Sequence, residues 1–370
     1  MDKINVISLF CGCGGMDLGL TGGFSYLGKK YTKHPFKIVY AVDNDPYCSQ
    51  IYNANFSHKC EVKDVRDINI KDIPDFDLLI GGFPCQSFSI SAQNPPRLGY
   101  KDERGMLFFE MVKILKAHKP RFFIAENVKG LLSANKKKAF PMIIKEFEEA
   151  GYLIKYSLLN AYNYGVPQKR ERVVLIGMLN TDFDIDVMFE EVKKQININN
   201  PHFFEPVSVW EAISDIETPT ESGITTLLEP TTSYQKSLRC GCTVTTNHIA
   251  TEHNKRSCKR MKQIHEGENW VKLNEPIHSV HSGAYGRLEK DKPAATITTR
   301  FDTPSGGRFI HPVADRTITL REAARLQSFP DNFEFVGTKS SVCKQIGNAV
   351  PPKLSYFLAN LVKYALYENN

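Results

Sequence analysis

The feature that most constrains this chain is an alternation of short apolar, β-rich runs with amphipathic stretches through its first half. Apolar runs fall at 4–10, 36–42, 77–81, 121–125, 153–159 and 172–178, and helical periodicity is clearest at 105–118 and at 139–150, where Gly151 stops it. Strand–helix alternation of this kind predicts an α/β fold built on a doubly wound, mostly parallel sheet. Such sheets bind ligands beyond the carboxyl ends of their strands, so the residues that directly follow each apolar run are the first candidates for a site.

The alternation breaks down after Gly177. Residues 197–201 are polar and rich in asparagine, as in a linker, and the stretch from about 200 to 312 is irregular, with many Thr, Ser, Gly and His. It reads as a separate recognition unit. Regular patterning returns at 319–328, an amphipathic helix, and at 351–367, a helix whose opening prolines suit a first turn. Net charge is +6, and residues 235–312 hold 13 Lys and Arg against 7 Asp and Glu, together with six of the ten histidines. A local excess of cations points to a polyanionic partner, although a solvated basic surface has the same composition.

Nine cysteines, an odd number scattered along the chain, do not form a disulfide framework and suit a reducing cytosol. No apolar run is long enough to span a membrane, and the first strand begins too early to leave room for a signal peptide, so the protein is expected to stay in the cytoplasm. Cys240, Cys242 and Cys258 with His248 or His253 offer enough ligands for zinc, but their spacing departs from the usual paired arrangement, and no metal is expected.

Four strand ends carry chemistry. After the first comes Phe10-Cys11-Gly12-Cys13-Gly14-Gly15, a glycine-rich turn that lets backbone approach a ligand and presents the next helix N-terminus. Asp43 ends the second strand and Asp64 follows a short third one; either suits a ribose diol, and either also reads as an ordinary loop acid. Gly82-Phe83-Pro84-Cys85-Gln86-Ser87 follows an apolar strand directly, with Pro84 fixing the direction of the thiol; the alternative is a small buried cysteine. Glu126 ends the next core strand. In Gln168-Lys169-Arg170-Glu171-Arg172 the two arginines alternate with Glu171 and share one face, able to pair with a base oxygen or a phosphate; taken alone the segment also reads as an edge-strand charge pattern.

These segments, in this order, resemble the DNA (cytosine-5) methyltransferase family of the prokaryotic restriction-modification type. The resemblance extends over Leu9–Leu20, Gly82–Ser87, Glu126-Asn127-Val128, Gln168–Arg172, the segment from Thr319 to Pro330 and that from Gln345 to Pro351. It implies a Rossmann-like, S-adenosyl-L-methionine-dependent catalytic domain at 1–184, a target recognition domain at 185–334 braced by the helix at 319–328, and a segment at 335–370 that returns to the catalytic domain. It further implies Cys85 as nucleophile, Glu126 as partner of the base N3, and Arg170 and Arg172 as orienting groups. The cofactor pocket would be lined by Phe10, Gly12, Gly14, Asp43, Asp64, Pro84, Leu107, Asn348 and Val350. Gln86, Ser87, Arg287, Arg300 and Arg308 are the expected DNA contacts.

The partner so implied is double-stranded DNA, met by a monomer at the nucleoid, with a cognate restriction endonuclease acting independently. Cys11 and Cys13 depart from the family pattern, which more usually has small residues such as Ser or Ala there. Weighed against this reading are a tRNA cytosine-5 methyltransferase, which the long recognition segment disfavours, and a catalytically silent DNA-binding regulator, which would not need Cys85 and Glu126. An amino-group methyltransferase is prompted by Asn94-Pro95-Pro96, but Arg97 follows where an aromatic would be needed. A nicotinamide oxidoreductase explains only the glycine turn and Asp43.

Overall fold

The computed structural model describes residues 3–22, 25–26, 29–30, 33–84, 107–273, 275, 277, 279 and 281–367. Seven strands form one sheet: β1 (Ile4–Leu9), β2 (Phe36–Asp43), β3 (Cys60–Val62), β4 (Leu78–Gly81), β5 (Phe122–Val128), β6 (Tyr152–Asn160) and β7 (Glu171–Leu179). Their order is β3-β2-β1-β4-β5-β7-β6. β1 to β5 are parallel, and β7 inserts antiparallel to both β5 and β6. Every apolar run read from the sequence is a strand. β5 continues past its apolar part because β7 pairs with the polar end as well, Val174 opposite Glu126 and Arg172 opposite Val128.

Side chains alternate between two cores, as a period of two dictates. Val6, Ile80 and Ile124 face one core; Ile7, Leu79 and Phe123 face the other. Helices α1 (Gly15–Thr21) and α2 (Pro46–Asn55) follow β1 and β2. Helices α3 (Leu107–His118) and α4 (Ala139–Glu149) cover the second face with Phe108, Met111, Ile143 and Phe147. Each fully buried large apolar side chain contributes about 1.5–3 kcal/mol.

The next helix, α5 (Ile185–Asn199), was not apparent in the sequence, where its end reads as an asparagine-rich linker. Asp184 caps it, and its apolar stripe of Met188, Phe189, Val192 and Ile196 is buried on the first face, with Phe189 5.4 Å from Phe357 between ring centroids. Residues 185–199 therefore pack against the helix at 352–367 and share the core of the first face. The stripe is hard to read because Glu-Glu and Lys-Lys pairs dilute it.

The irregular unit contains α6 (Val209–Ile213), α7 (Ser233–Leu238), α8 (Lys255–Lys262) and an antiparallel pair of two-residue strands, Thr225–Thr226 with Val244–Thr245. Met261, Ile264, Leu273, Ala284, Tyr285 and Ile310 form its own small core. Leu288, Ile297, Phe301 and Phe309 are continuous with the core of the sheet. Helix α9 (Leu320–Leu326) starts at a capping box of Thr319 and Glu322 and lies at the joint. Its fully buried Arg325 binds Asp215, Asp331 and the carbonyl of Ala212, tying the irregular unit to the C-terminal part. Helices α10 (Lys339–Asn348) and α11 (Pro352–Tyr367) then return to the sheet, where α11 packs on α1 and α5.

Candidate active site

Strand order reverses about β1, whose neighbours β2 and β4 leave in opposite directions, and a crevice opens beyond the carboxyl ends at such a point. Here it is a cleft of about 450 Å³. Its floor is the turn after β1. Phe10, Gly12 and Gly14 all take positive φ there, at 55°, 57° and 85°. The glycines adopt this conformation freely, whereas Phe10 is held in it by its surroundings.

Asp43, at the end of β2, ties two loops together. One carboxylate oxygen accepts from the Gly12 N–H at 3.0 Å and the other from the Asp45 N–H at 2.9 Å. Burial pushes its pKa up, and the two N–H donors oppose the rise. The C-terminal segment closes the wall. Gln345 accepts from the Cys48 thiol at 2.8 Å and donates to Asp45 at 3.3 Å, and Lys344 pairs with Asp45 at 2.7 Å. Residues some 300 positions apart in sequence thus form one rim.

The opposite end is built by β4 and β5. Glu126 is nearly buried, and Arg172 Nε lies 2.8 Å from its Oε1. Among the described residues, Oε1 accepts no hydrogen bond beyond this ion pair. Asn127 donates to the carbonyl of Phe83 at 3.1 Å, fixing the chain just before the described residues stop at Pro84. Gly82 lets Glu126 lie close to this turn, since a Cβ there would sit 3.2 Å from Glu126 Oε2 and press on the carboxylate. Cys85, Gln86 and Ser87 lie outside the described residues.

The cleft brings together Phe10, Gly12, Asp43, Pro84, Leu107, Glu126, Arg172, Asn348 and Val350. Two expected cofactor residues are absent from its wall. Gly14 caps α1 and is packed beneath Phe56 and Tyr52. Asp64 caps a short 3₁₀ turn and binds Arg66 through both oxygens, at 3.0 and 2.8 Å. Sequence reasoning missed Asp17, Asp45, Cys48, Asn127, Lys344 and Gln345, all in the lining. Asp17, Asn127 and Gln345 stand inside segments already singled out, and Asp45, Cys48 and Lys344 had no local signal. Asp17 is fully buried beside Ser8 and Tyr52, and burial raises its pKa to about 6 against the hydrogen bonds of both hydroxyls. Burial also lifts the Cys11 thiol well above its usual range and Cys13 to about 12, so neither is a competing nucleophile at neutral pH.

Three expected arginine contacts need correction. Arg170 precedes β7, is fully buried, and donates to the carbonyls of Ile297 at 3.2 Å and Gly347 at 2.9 Å instead of facing the cleft. Arg287 is buried with bonds to the carbonyls of Met261, Ile264, His311 and Ala314 and to Asp315. Arg308 donates to the carbonyls of Glu268 and Arg287. Only Arg300 of these is exposed. His248 is bonded to Thr319 and Glu217, and His253 to Thr317. Among the described residues, no three His, Cys, Asp or Glu side chains converge as metal ligands. No helix among them is long and apolar enough to cross a membrane.

Fold and cleft together define an α/β enzyme with a Rossmann-like methyltransferase architecture. Residues 4–363 match the model of the C-5 cytosine-specific DNA methylases, and the chain belongs to that family. It is 36% identical over 361 residues to the Type II methyltransferase M.NgoFVII of Neisseria gonorrhoeae, covering 95% of this chain and 84% of that one. With the Type II methyltransferase M.DdeI of Desulfomicrobium norvegicum it shares 33% over 400 residues, covering 99% and 90%. Among solved structures it is similar to one described as a DNA modification methyltransferase encoded within an E. coli prophage, with a TM-score of 0.74, 25% identity, and 98% and 99% of the two chains covered. The Dnmt2 methyltransferase of S. pombe shares the fold, with a TM-score of 0.63 at 18% identity over 99% and 100% of the chains.

Proposed function

We propose that the enzyme methylates carbon 5 of cytosine in a specific duplex DNA sequence, with S-adenosyl-L-methionine bound at the β1–β2 end of the cleft and the target base at the Glu126–Arg172 end. The supporting observation is that a single cleft joins the two sets of residues. The cleft suits the donor. Its volume is that of a small-molecule site, and Asp17, Asp43 and Asp45 provide carboxylates for a cationic ligand. Asp43 keeps acceptor capacity for a ribose diol beyond its two backbone N–H donors, while Phe10, Leu107 and Val350 supply apolar wall. When bound, the donor offers a methyl group on a positively charged sulfur.

The chain's own residues make the base reactive. Carbon 5 of cytosine is a poor nucleophile until a thiolate adds to carbon 6. Cys85, the residue after cleft-lining Pro84, forms that S–C6 bond, and the ring electrons move toward N3 and carbon 5. Glu126, as the carboxylic acid, donates its O–H to N3 and so meets the charge that moves there, and Arg172 holds the carboxyl in place. Once carbon 5 carries the methyl group, its proton leaves to solvent, the S–C6 bond breaks and the thiolate returns. Carbon 6 is inaccessible inside a base stack, so the cytosine must be flipped out of the duplex. By the same reading the enzyme is a cytoplasmic monomer that protects host DNA from a separate restriction endonuclease.

Bisulfite sequencing of plasmid from an expressing host tests this. A fixed sequence context with converted flanks and one resistant cytosine is expected. Cys85→Ala should bind DNA without methylating it, and resistant cytosines in plasmid from that variant would overturn the mechanism.

A further inference from the structure

The cations of the irregular unit are not equivalent. Arg239, Arg287 and Lys292 are paired with carboxylates. Helix α8 reads Lys-Arg-Ser-Cys-Lys-Arg-Met-Lys, and its five cations divide into two stripes. Arg256 and Arg260, one turn apart, both bind Glu275, at 2.8 and 2.6 Å. Lys255, Lys259 and Lys262 stand at i, i+4 and i+7 on an adjacent stripe, all exposed, and no carboxylate among the described residues forms an ion pair with them.

The first lysine of the stripe works against the helix that carries it, whereas Lys259 and Lys262 lie in the last turn, where the dipole favours them. Like charges one turn apart repel, and Lys255 opens the helix at its positive dipole end, with no acid in the first turn. What anchors the helix is Met261, buried in the small core, together with Arg287, which binds its last turn through the Met261 carbonyl. Three exposed cations on one stripe, with no carboxylate paired to them among the described residues, are suited to an anion outside the chain.

Resting on duplex DNA as the substrate, we propose that Lys255, Lys259 and Lys262 form a phosphate-contacting ridge that grips the DNA backbone. From Lys255 to Lys262 the helix rises about 10 Å, the axial length of about three phosphates of one strand. The contact is to backbone, so it adds affinity and orientation without reading sequence.

The test uses the full-length enzyme and a plasmid restriction fragment as probe, with affinity followed against salt. Neutralising three phosphate contacts lowers the slope of log affinity against log salt by about 2.7. The triple variant Lys255→Ala, Lys259→Ala, Lys262→Ala should show that loss, and Lys→Arg at the same three positions should restore it. A control with Lys37, Lys59 and Lys71 changed to Ala should keep the wild-type slope. An unchanged slope in the α8 variant, or an equal loss in the control, overturns the ridge. Site-specific methylation by the wild type in the same preparation would meanwhile leave the substrate reading standing, and wild type that neither binds nor methylates the fragment would sink both.

Discussion

Arg170 and Arg172 lie two residues apart, and the structure predicts opposite fates for their alanine variants. Arg170 is fully buried and supplies donors to the carbonyls of Ile297 and Gly347, which belong to the irregular unit and to α10. Arg170→Ala leaves both without a partner, at about 1–3 kcal/mol each, for a total of about 2–6 kcal/mol. For a chain of this size that corresponds to a fall in Tm of about 3–8 °C. Arg172 has its side chain against Glu126 in the cleft. Arg172→Ala should lower turnover by about 10²–10³-fold in protein that is still folded. Arg170→Lys should fall between wild type and alanine in stability, because one ammonium cannot reproduce a planar fork bonded to two carbonyls. Differential scanning calorimetry, paired with methyl incorporation measured well below the melting transition, separates the two effects. An Arg170→Ala enzyme that melts with the wild type yet has no activity would refute the bracing role and return Arg170 to the base.

Two further outcomes follow from packing and charge. Lys353 is buried with its ammonium over Phe203 and near Tyr234, and burial lowers its pKa from 10.5 to about 7. Between those values the unfolded chain binds a proton that the folded chain does not, so stability declines as pH falls through the window and levels off below about 7. Lys353→Met should remove up to about 1.4 kcal/mol per pH unit from that decline, and urea midpoints with the same pH dependence as wild type would contradict it. Gly19 of α1 is pressed against α11: a Cβ would run into the Pro352 carbonyl and lie 2.7 Å from the Tyr356 nitrogen. Backbone cannot step aside, so Gly19→Ala should cost about 1–3 kcal/mol, checked by chemical denaturation, with an unchanged midpoint telling against the close packing.

Strands were legible in this sequence and much of the second unit was not, for one physical reason. A buried parallel strand announces itself by its apolar run, and the polar residue at its end marks the ligand side, which is how Asp43 and Glu126 could be found. Gln345 and Lys344 reach the cleft by tertiary return of α10, and nothing local to residues 339–348 points to Asp45 or Cys48. Asp64 misled because an acid after a strand has two uses, and here Arg66, two residues on, claims both of its oxygens. The pairing of Arg170 with Arg172 failed differently. Alternation places side chains on one face only within a regular pleat, and β7 begins at Glu171.

The misplaced arginines of the irregular unit share a cause. A segment with little helix or sheet has many buried carbonyls lacking a backbone donor, and each must be satisfied. Arginine carries five donors in a rigid plane and cannot lose its charge. Arg287 satisfies four carbonyls, Arg321 those of Thr246, Pro330 and Phe333, and Arg308 two more. Lysine cannot replace this wiring, because its donors radiate from one point and its strongly hydrated head favours water. Basic composition in such a unit therefore has two meanings that residue type helps to separate. Arginines in glycine-rich turns hold the irregular backbone together, and the charge left over for a polyanion includes the three lysines of α8, which no carboxylate pairs with among the described residues.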